Sequence, residues 1–188
     1  MAKIQQAPKT GLYPVPMVMV SCVDSNGKPN IITIAWAGVV NSTPPMLSVA
    51  LRHSRYSYGL IKQTGDFVIN IPKEDQAWAA DFCGQVSGRD VDKFKEAHLT
   101  PIKASLVKSP LIQECPVNLE CVVKQRMDLG SHELFWGEVV ATHIDEEYCD
   151  ERGHWDIARL RPLAYCGGDY WSLGKLVGKH GFSRKGQT

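Results

Sequence analysis

Two runs rich in β-branched and apolar residues, 16–23 and 30–36, are joined by Asp24-Ser25-Asn26-Gly27-Lys28. Asn-Gly is the strongest short-range hairpin signal, because both residues adopt positive φ at little cost. The pair therefore predicts two antiparallel strands closed by a tight turn. The same alternation of short strand and turn continues down the chain. Pro44-Pro45 breaks it before a third strand at 46–51, and further strands read at 66–71, 117–127 and 134–144. The last two face each other across Asp128-Leu129-Gly130-Ser131. Between them fall a helix over about 55–63, with Ser54 as its N-cap and Gly65 at its end, and a second over 73–84. Trp78, Ala79, Phe82 and Cys83 give that second helix an apolar face. Residues 87–95 read as a polar loop entering a short helical segment. Many short strands with few helices predict a mainly β fold, a barrel or sandwich with peripheral helices.

Composition narrows the function classes. Of the 188 residues, 44% are hydrophobic and 22% charged, as in an ordinary one-domain globular chain. The formal net charge of +1 gives no bulk attraction to nucleic acid or a membrane surface. The longest near-apolar run, 15–23, is too short to span a bilayer. Six cysteines are present without a Cys-x-x-Cys pair, and residues 1–10 do not read as an export leader. Reduced, packed thiols in a cytoplasmic protein with no metal site are expected. Gly174-Lys175-Leu176-Val177-Gly178-Lys179-His180 is one residue short of a phosphate loop and puts histidine where a hydroxyl is required. The acidic run Asp145-Glu146-Glu147, with Asp150, Glu151, His154 and Asp156 nearby, reads as a solvated loop.

Three stretches hold groups with chemical potential. In Leu51-Arg52-His53-Ser54-Arg55-Tyr56-Ser57 a strand ends and a helix begins, and a helix start offers unpaired N–H groups to an anion. Ser54 and Ser57, as N-cap and N3, would border it, with Arg52 or Arg55 adding a forked contact. The competing reading is a capped helix with solvated arginines. The run 30–36, followed by Asn41-Ser42-Thr43, combines small Ala35 and Ala37 with polar Asn30 and Thr33 and with Trp36. It would suit a flat ring with a polar edge, or simply a strand with a core tryptophan. Ser87-Gly88-Arg89-Asp90-Val91-Asp92-Lys93-Phe94 offers Lys93 as a second phosphate partner, or else a solvated helix start.

The order of several motifs is more specific than any one of them. Pro14-Val15-Pro16, Asn30-x-x-Thr33-x-Ala35-Trp36, Pro44-Pro45, Ser54-x-x-Ser57, Phe67-Val68-Ile69-Asn70 and Asp92-Lys93-Phe94 occur in that sequence. Gly137-Glu138-Val139 and Tyr170-x-x-Leu173-Gly174 follow. In this the chain resembles the flavin reductase-like family of FMN-binding split barrels, flavoredoxin-type proteins above all, from about residue 13 to 182. The resemblance implies a Greek-key split β-barrel over 13–182, an N-terminal arm at 1–12 and a mobile basic tail at 183–188. It implies non-covalent FMN, with Asn30, Thr33, Ala35 and Trp36 along the ring and ribityl chain and Arg52, Ser54, Ser57 and Lys93 at the phosphate. Ile34, Asn41, His53 and Tyr56 complete the expected cofactor contacts. His132 matches a position near the nicotinamide side, and Tyr165 and Tyr170 are candidates to cover the ring.

It also implies a homodimer with flavin at the subunit interface. Electrons would pass from NAD(P)H through FMN to free flavin, ferric iron or a redox protein partner. The alternatives are an electron carrier without NAD(P)H activity and a non-enzymatic FMN-binding protein. No Gly-x-Gly-x-x-Gly unit is present, so a nicotinamide donor would dock transiently. The organic chemistry would belong to the flavin, and no residue is required as general acid or base.

Overall fold

In the computed structural model, which describes residues 1–184, the chain enters through a short strand β1 (Val15–Pro16) and then makes β2 (Val18–Val23) and β3 (Pro29–Ile34). The expected hairpin is present, with Val18 opposite Ile34 and Val23 opposite Pro29. Gly27 takes φ 82° in the turn, and Asp24 Oδ1 accepts the N–H of Asn26 and Lys28. After Ala35 and Trp36 come β4 (Ala37–Ser42) and β5 (Pro45–Arg52), then α1 (Tyr56–Thr64) and β6 (Asp66–Ile71). Gly65, at φ 74°, ends α1 in the left-handed conformation that glycine takes without strain.

A 3-10 turn at Glu74–Gln76 leads into α2 (Ala77–Gln85), and α3 (Lys93–Glu96) follows. A small pair β7 (Pro101–Ile102) and β8 (Leu111–Ile112) precedes the long hairpin β9 (Val117–Asp128) and β10 (His132–Ile144). The chain closes with α4 (Ile157–Leu160), β11 (Leu163–Cys166) and β12 (Asp169–Ser172).

Seven strands form one antiparallel sheet in the order β3-β2-β6-β9-β10-β5-β4, and β1, β11 and β12 form a second. The large sheet curls without closing. Its two edges, β3 and β4, are consecutive in sequence, so residues 35–36 cross the opening. This is a split β-barrel.

Alternation along the strands sorts side chains into two cores. Val18, Val20, Cys22, Ile32 and Ile34 join Phe67, Phe135 and Leu60 inside the barrel. Met17, Met19 and Ile31 point the other way, under Ala79, Ala80 and Cys83 of α2. The helix face predicted around Trp78 is therefore shifted. Trp78 is exposed and stacks on Phe82 (5.2 Å), because the small side chains Ala79 and Ala80 are the ones that let α2 approach β3. Glu120 on β9 is fully buried; it accepts the N–H groups of Ser105, Leu106 and Val107, in the loop between β7 and β8, and is bonded to His143. Burial pushes its carboxyl up, but the three N–H groups and His143 outweigh this and hold it below its usual range.

Gly137 on β10 has no room for a side chain: a Cβ would sit 2.7 Å from Phe67 Cζ and 3.0 Å from Cys121 Cβ. Gly137→Ala is expected to lower stability by about 1–3 kcal/mol through overpacking. Urea denaturation measures this, and an unchanged midpoint would contradict the packing described.

Candidate functional site

The opening of the barrel is a cleft of about 350 Å³. Its floor is Thr33, Ile34, Ala35 and Trp36, where β3 leaves the sheet. One side comes from Arg52 and His132, which the β5–β10 register sets opposite each other. The other side comes from Gly84 and Gln85 of α2 and from Tyr165 and Tyr170 of the small sheet.

Each wall is fixed from behind. The Thr33 hydroxyl donates to the Ala80 carbonyl, and a Cβ on Gly84 would lie 3.3 Å from Thr33 Cβ, so glycine is what lets the helix end sit over the strand. Tyr170 donates to Asp81 Oδ1 (2.7 Å) and meets Tyr165 edge-on at 5.9 Å. Burial and the Asp81 carboxylate push the Tyr170 hydroxyl well above its ordinary value, so it stays protonated. Trp36, half-exposed, stacks with His132 at 6.2 Å and 11°. Burial, with Arg52 and His53 nearby, holds His132 below its ordinary value of 6.5. Its neutral form is thereby favoured, and Ser131 Oγ lies 2.8 Å from its Nδ1.

Beyond Arg52 the cleft continues into a second pocket of about 200 Å³, lined by Ser54, Arg55, Tyr56, Ser57, Gly88, Arg89 and Lys93. Here α1 begins. Its N-cap is Arg55, not Ser54 as the sequence predicts, and no side chain caps it. The first-turn N–H groups thus have no partner from a capping side chain. Ser57 Oγ accepts from Asn30 Nδ2 (2.7 Å), which leaves the Ser57 O–H free to donate.

Lys93 is only 5% exposed, yet its ammonium donates to the carbonyls of Ile31 (2.8 Å) and Cys83 (2.7 Å). Burial, with repulsion from Arg55, brings it down to about 8. The α3 turn that presents it is capped by Asp92, which accepts from the Lys95 N–H. Four cationic side chains, an uncapped helix start and a donating hydroxyl are the donor set of a site for a phosphate. A flat aromatic group fits the adjoining cleft beside Trp36 and His132.

Most residues singled out from sequence meet here: Thr33, Ile34, Ala35, Trp36, Arg52, Ser54, Tyr56, Ser57, Lys93 and His132 all line one pocket or the other. Asn30 stands behind Ser57 rather than in the wall. Two residues are not brought to the site. His53 turns outward to Asp128 (3.7 Å) and Tyr58, because it alternates with Arg52 at the end of β5. Asn41 lies exposed past a bulge in β4, donating to the Pro44 carbonyl (2.8 Å). Arg89 was not predicted at the site; its neighbour Gly88 was the available signal. Among the described residues there is no cluster of three or more His, Cys, Asp or Glu able to hold a metal ion, and no helix is long and apolar enough to cross a membrane.

A split barrel whose opening pairs an aromatic cleft with an anion pocket is a frame for a phosphorylated aromatic cofactor. Residues 10–174 match the model of the Flavin reductase like domain, so the chain belongs to that family of flavin-binding oxidoreductases. Flavoredoxin of Desulfovibrio vulgaris (Miyazaki F) superposes with a TM-score of 0.92 at 31% identity, over 98% of this chain and 100% of that one. Flavoredoxin from Methanosarcina acetivorans gives 0.90 at 31% identity, over 98% of each. An uncharacterized protein of Archaeoglobus fulgidus is 38% identical over 138 residues, 71% of this chain and 75% of its own length.

The low value of Lys93 would make the affinity of this pocket for a phosphate pH-dependent. A bound phosphate favours the ammonium, so affinity is expected to hold up to about pH 8 and then fall by up to about tenfold per pH unit. The folding of the flavin-free chain responds with the opposite sign. Its lowered Lys93 carries a penalty that is full below pH 8 and is relieved as pH rises toward the unfolded value of about 10.4. Fluorescence titration with FMN across pH 7–10 reads the first effect. Lys93→Gln should bind more weakly and lose this slope, and a variant keeping the wild-type slope would contradict the assignment.

Proposed function

We propose that the chain is an FMN-dependent oxidoreductase that takes electrons from NAD(P)H and passes them to free flavin, ferric iron or a redox partner protein. The observation that carries this reading is the joined geometry of the two pockets. The uncapped α1 start, Ser57 and Lys93 form a phosphate cradle at one end, and Trp36 and His132 form an aromatic wall at the other.

The residues present fit FMN held without a covalent bond. Arg52, Ser54, Ser57 and Lys93 would hold the phosphate, and Thr33, Ile34, Ala35 and Trp36 would face the ribityl chain and ring. FMN, when bound, supplies the capacity to accept a hydride and release electrons. The protein's own residues bind and orient. Thr33 is locked by Ala80, so β3 presents a fixed backbone edge, and Tyr170, held by Asp81, keeps Tyr165 against the cleft. His132, its proton affinity lowered by burial and by Arg52 and His53, adds little positive charge at the ring end.

A homodimer with the flavin near its interface accords with the large apolar side chains exposed on the single chain. Trp36, Val39, Val40, Met127, Leu129 and Trp171 are all solvent-facing in the single chain. A cytoplasmic setting is consistent with six free cysteines, four of them buried. Sedimentation equilibrium is expected to give twice the 20.9 kDa of one chain.

A second reading, an electron carrier indifferent to NAD(P)H, is favoured by the likeness to two flavoredoxins. Anaerobic addition of NADH and then NADPH to the flavin-loaded protein separates the two. Rapid loss of the visible flavin bands with either nucleotide supports the reductase. Bands that bleach only with dithionite would contradict it and leave the carrier.

A further inference from the structure

The loop that joins α2 to α3 is tied down more firmly than its polar sequence suggests. The Ser87 carbonyl accepts from the N–H groups of Asp90 (3.1 Å) and Val91 (3.2 Å), and Ser87 Oγ accepts from Arg89 N–H (3.2 Å). At Gly88 the backbone lies flat against its neighbours. A Cβ there would be 1.9 Å from Asn30 Oδ1 and 3.1 Å from Tyr56 Cδ1. From this anchored turn Arg89 reaches back over the start of α1. Its guanidinium sits 5.1 Å from the centre of the Tyr56 ring, and Nη1 donates to the Ser54 carbonyl (3.3 Å). One exposed side chain therefore bridges the two segments that flank the anion pocket, whose lining also includes the buried Ser57 and Lys93.

We propose that Arg89 is a clasp that closes the pocket behind a single terminal phosphate, so that the chain selects FMN over FAD. This deepens the reading above and rests on it. A terminal phosphate has three free oxygens, and Ser57, Lys93 and the α1 amides can meet them from inside while Arg89 adds its charge from outside. In FAD that phosphate is bridged to a second one and to adenosine, so the cofactor has to leave the pocket on the outer side. Arg89 must then give up both the Tyr56 ring and the Ser54 carbonyl. Contacts of this kind at an exposed position are modest, so the discrimination is a matter of degree, about tenfold or somewhat more.

Binding of FMN, FAD and riboflavin to the flavin-free full-length chain, measured by isothermal titration, tests the clasp. The wild-type chain is expected to bind FMN at least about tenfold tighter than FAD. Arg89→Ala should lower that ratio by about fivefold or more while riboflavin, which has no phosphate, binds as before. The riboflavin value guards against a variant that has merely lost its fold. Arg89→Lys keeps the charge but loses the flat, forked group that spans Tyr56 and Ser54, and it should lose most of the same ratio. A wild-type ratio near one, a ratio unchanged in Arg89→Ala, or a lysine variant equal to wild type would overturn the clasp while leaving flavin binding intact. Failure of the wild-type chain to bind any of the three flavins would instead overturn the reading of the site itself.

Discussion

Everything at the site follows from how one peptide segment crosses the gap in the barrel. β3 and β4 are both edge strands of the same sheet, so the chain must travel from one edge to the other through Ala35 and Trp36. It is tied on arrival, where the Ala50 N–H bonds to the Trp36 carbonyl (2.9 Å). Sheet edges expose unpaired backbone groups and are commonly covered or blocked. Here the gap is left as a cleft, with α2 over β3 on one side and the β5–β10 pair on the other. The small size of Ala35 and Gly84, both in its lining, helps keep it open, because bulkier residues there would fill it.

The electrostatics of the anion pocket depend on that same frame. Lys93 can be carried into the interior because α2 ends and β3 runs where two carbonyls can receive its ammonium. Buried charge without such partners is costly, and here the remaining cost appears as a lowered proton affinity. Arg52, Arg55 and Arg89 gather around the same volume from β5, the α1 N-cap and the α2–α3 loop. In a chain whose net charge is only +1, this is a local concentration of cations, not a general basic surface. A phosphate dianion would relieve their mutual repulsion and meet the start of α1, which no side chain caps.

Much of this was legible in the residues. The hairpin at Asn26-Gly27, the strand at 46–51 and the helix after it follow from local turn chemistry and periodicity, and they place the α1 start beside β3. The order of weak motifs identified the family. What sequence missed depends on longer-range geometry. Ser54 has the right chemistry for a cap, but the chain turns one residue later, which leaves the first-turn amides without one. β4 was hidden because its residues are exposed on an edge and show little apolar alternation. His53 and Asn41 looked eligible by proximity along the chain, yet strand alternation and a bulge turn them elsewhere. Arg89 lay inside a stretch the sequence singled out, but its role could not be read there, since its guanidinium meets Ser54 and Tyr56 more than thirty residues away. The basic tail expected at 183–188 lies outside the described residues from 185 onward.

The central claim is that one flavin spans the two pockets, phosphate at the start of α1 and ring at the barrel opening. A crystal structure of the chain grown with FMN tests it most directly. The account predicts phosphate oxygens within hydrogen-bonding distance of Ser57 Oγ and Lys93 Nζ, and the ring system against Trp36 and His132. A flavin bound elsewhere, or one lying in the cleft with its phosphate turned away from Lys93, would contradict it.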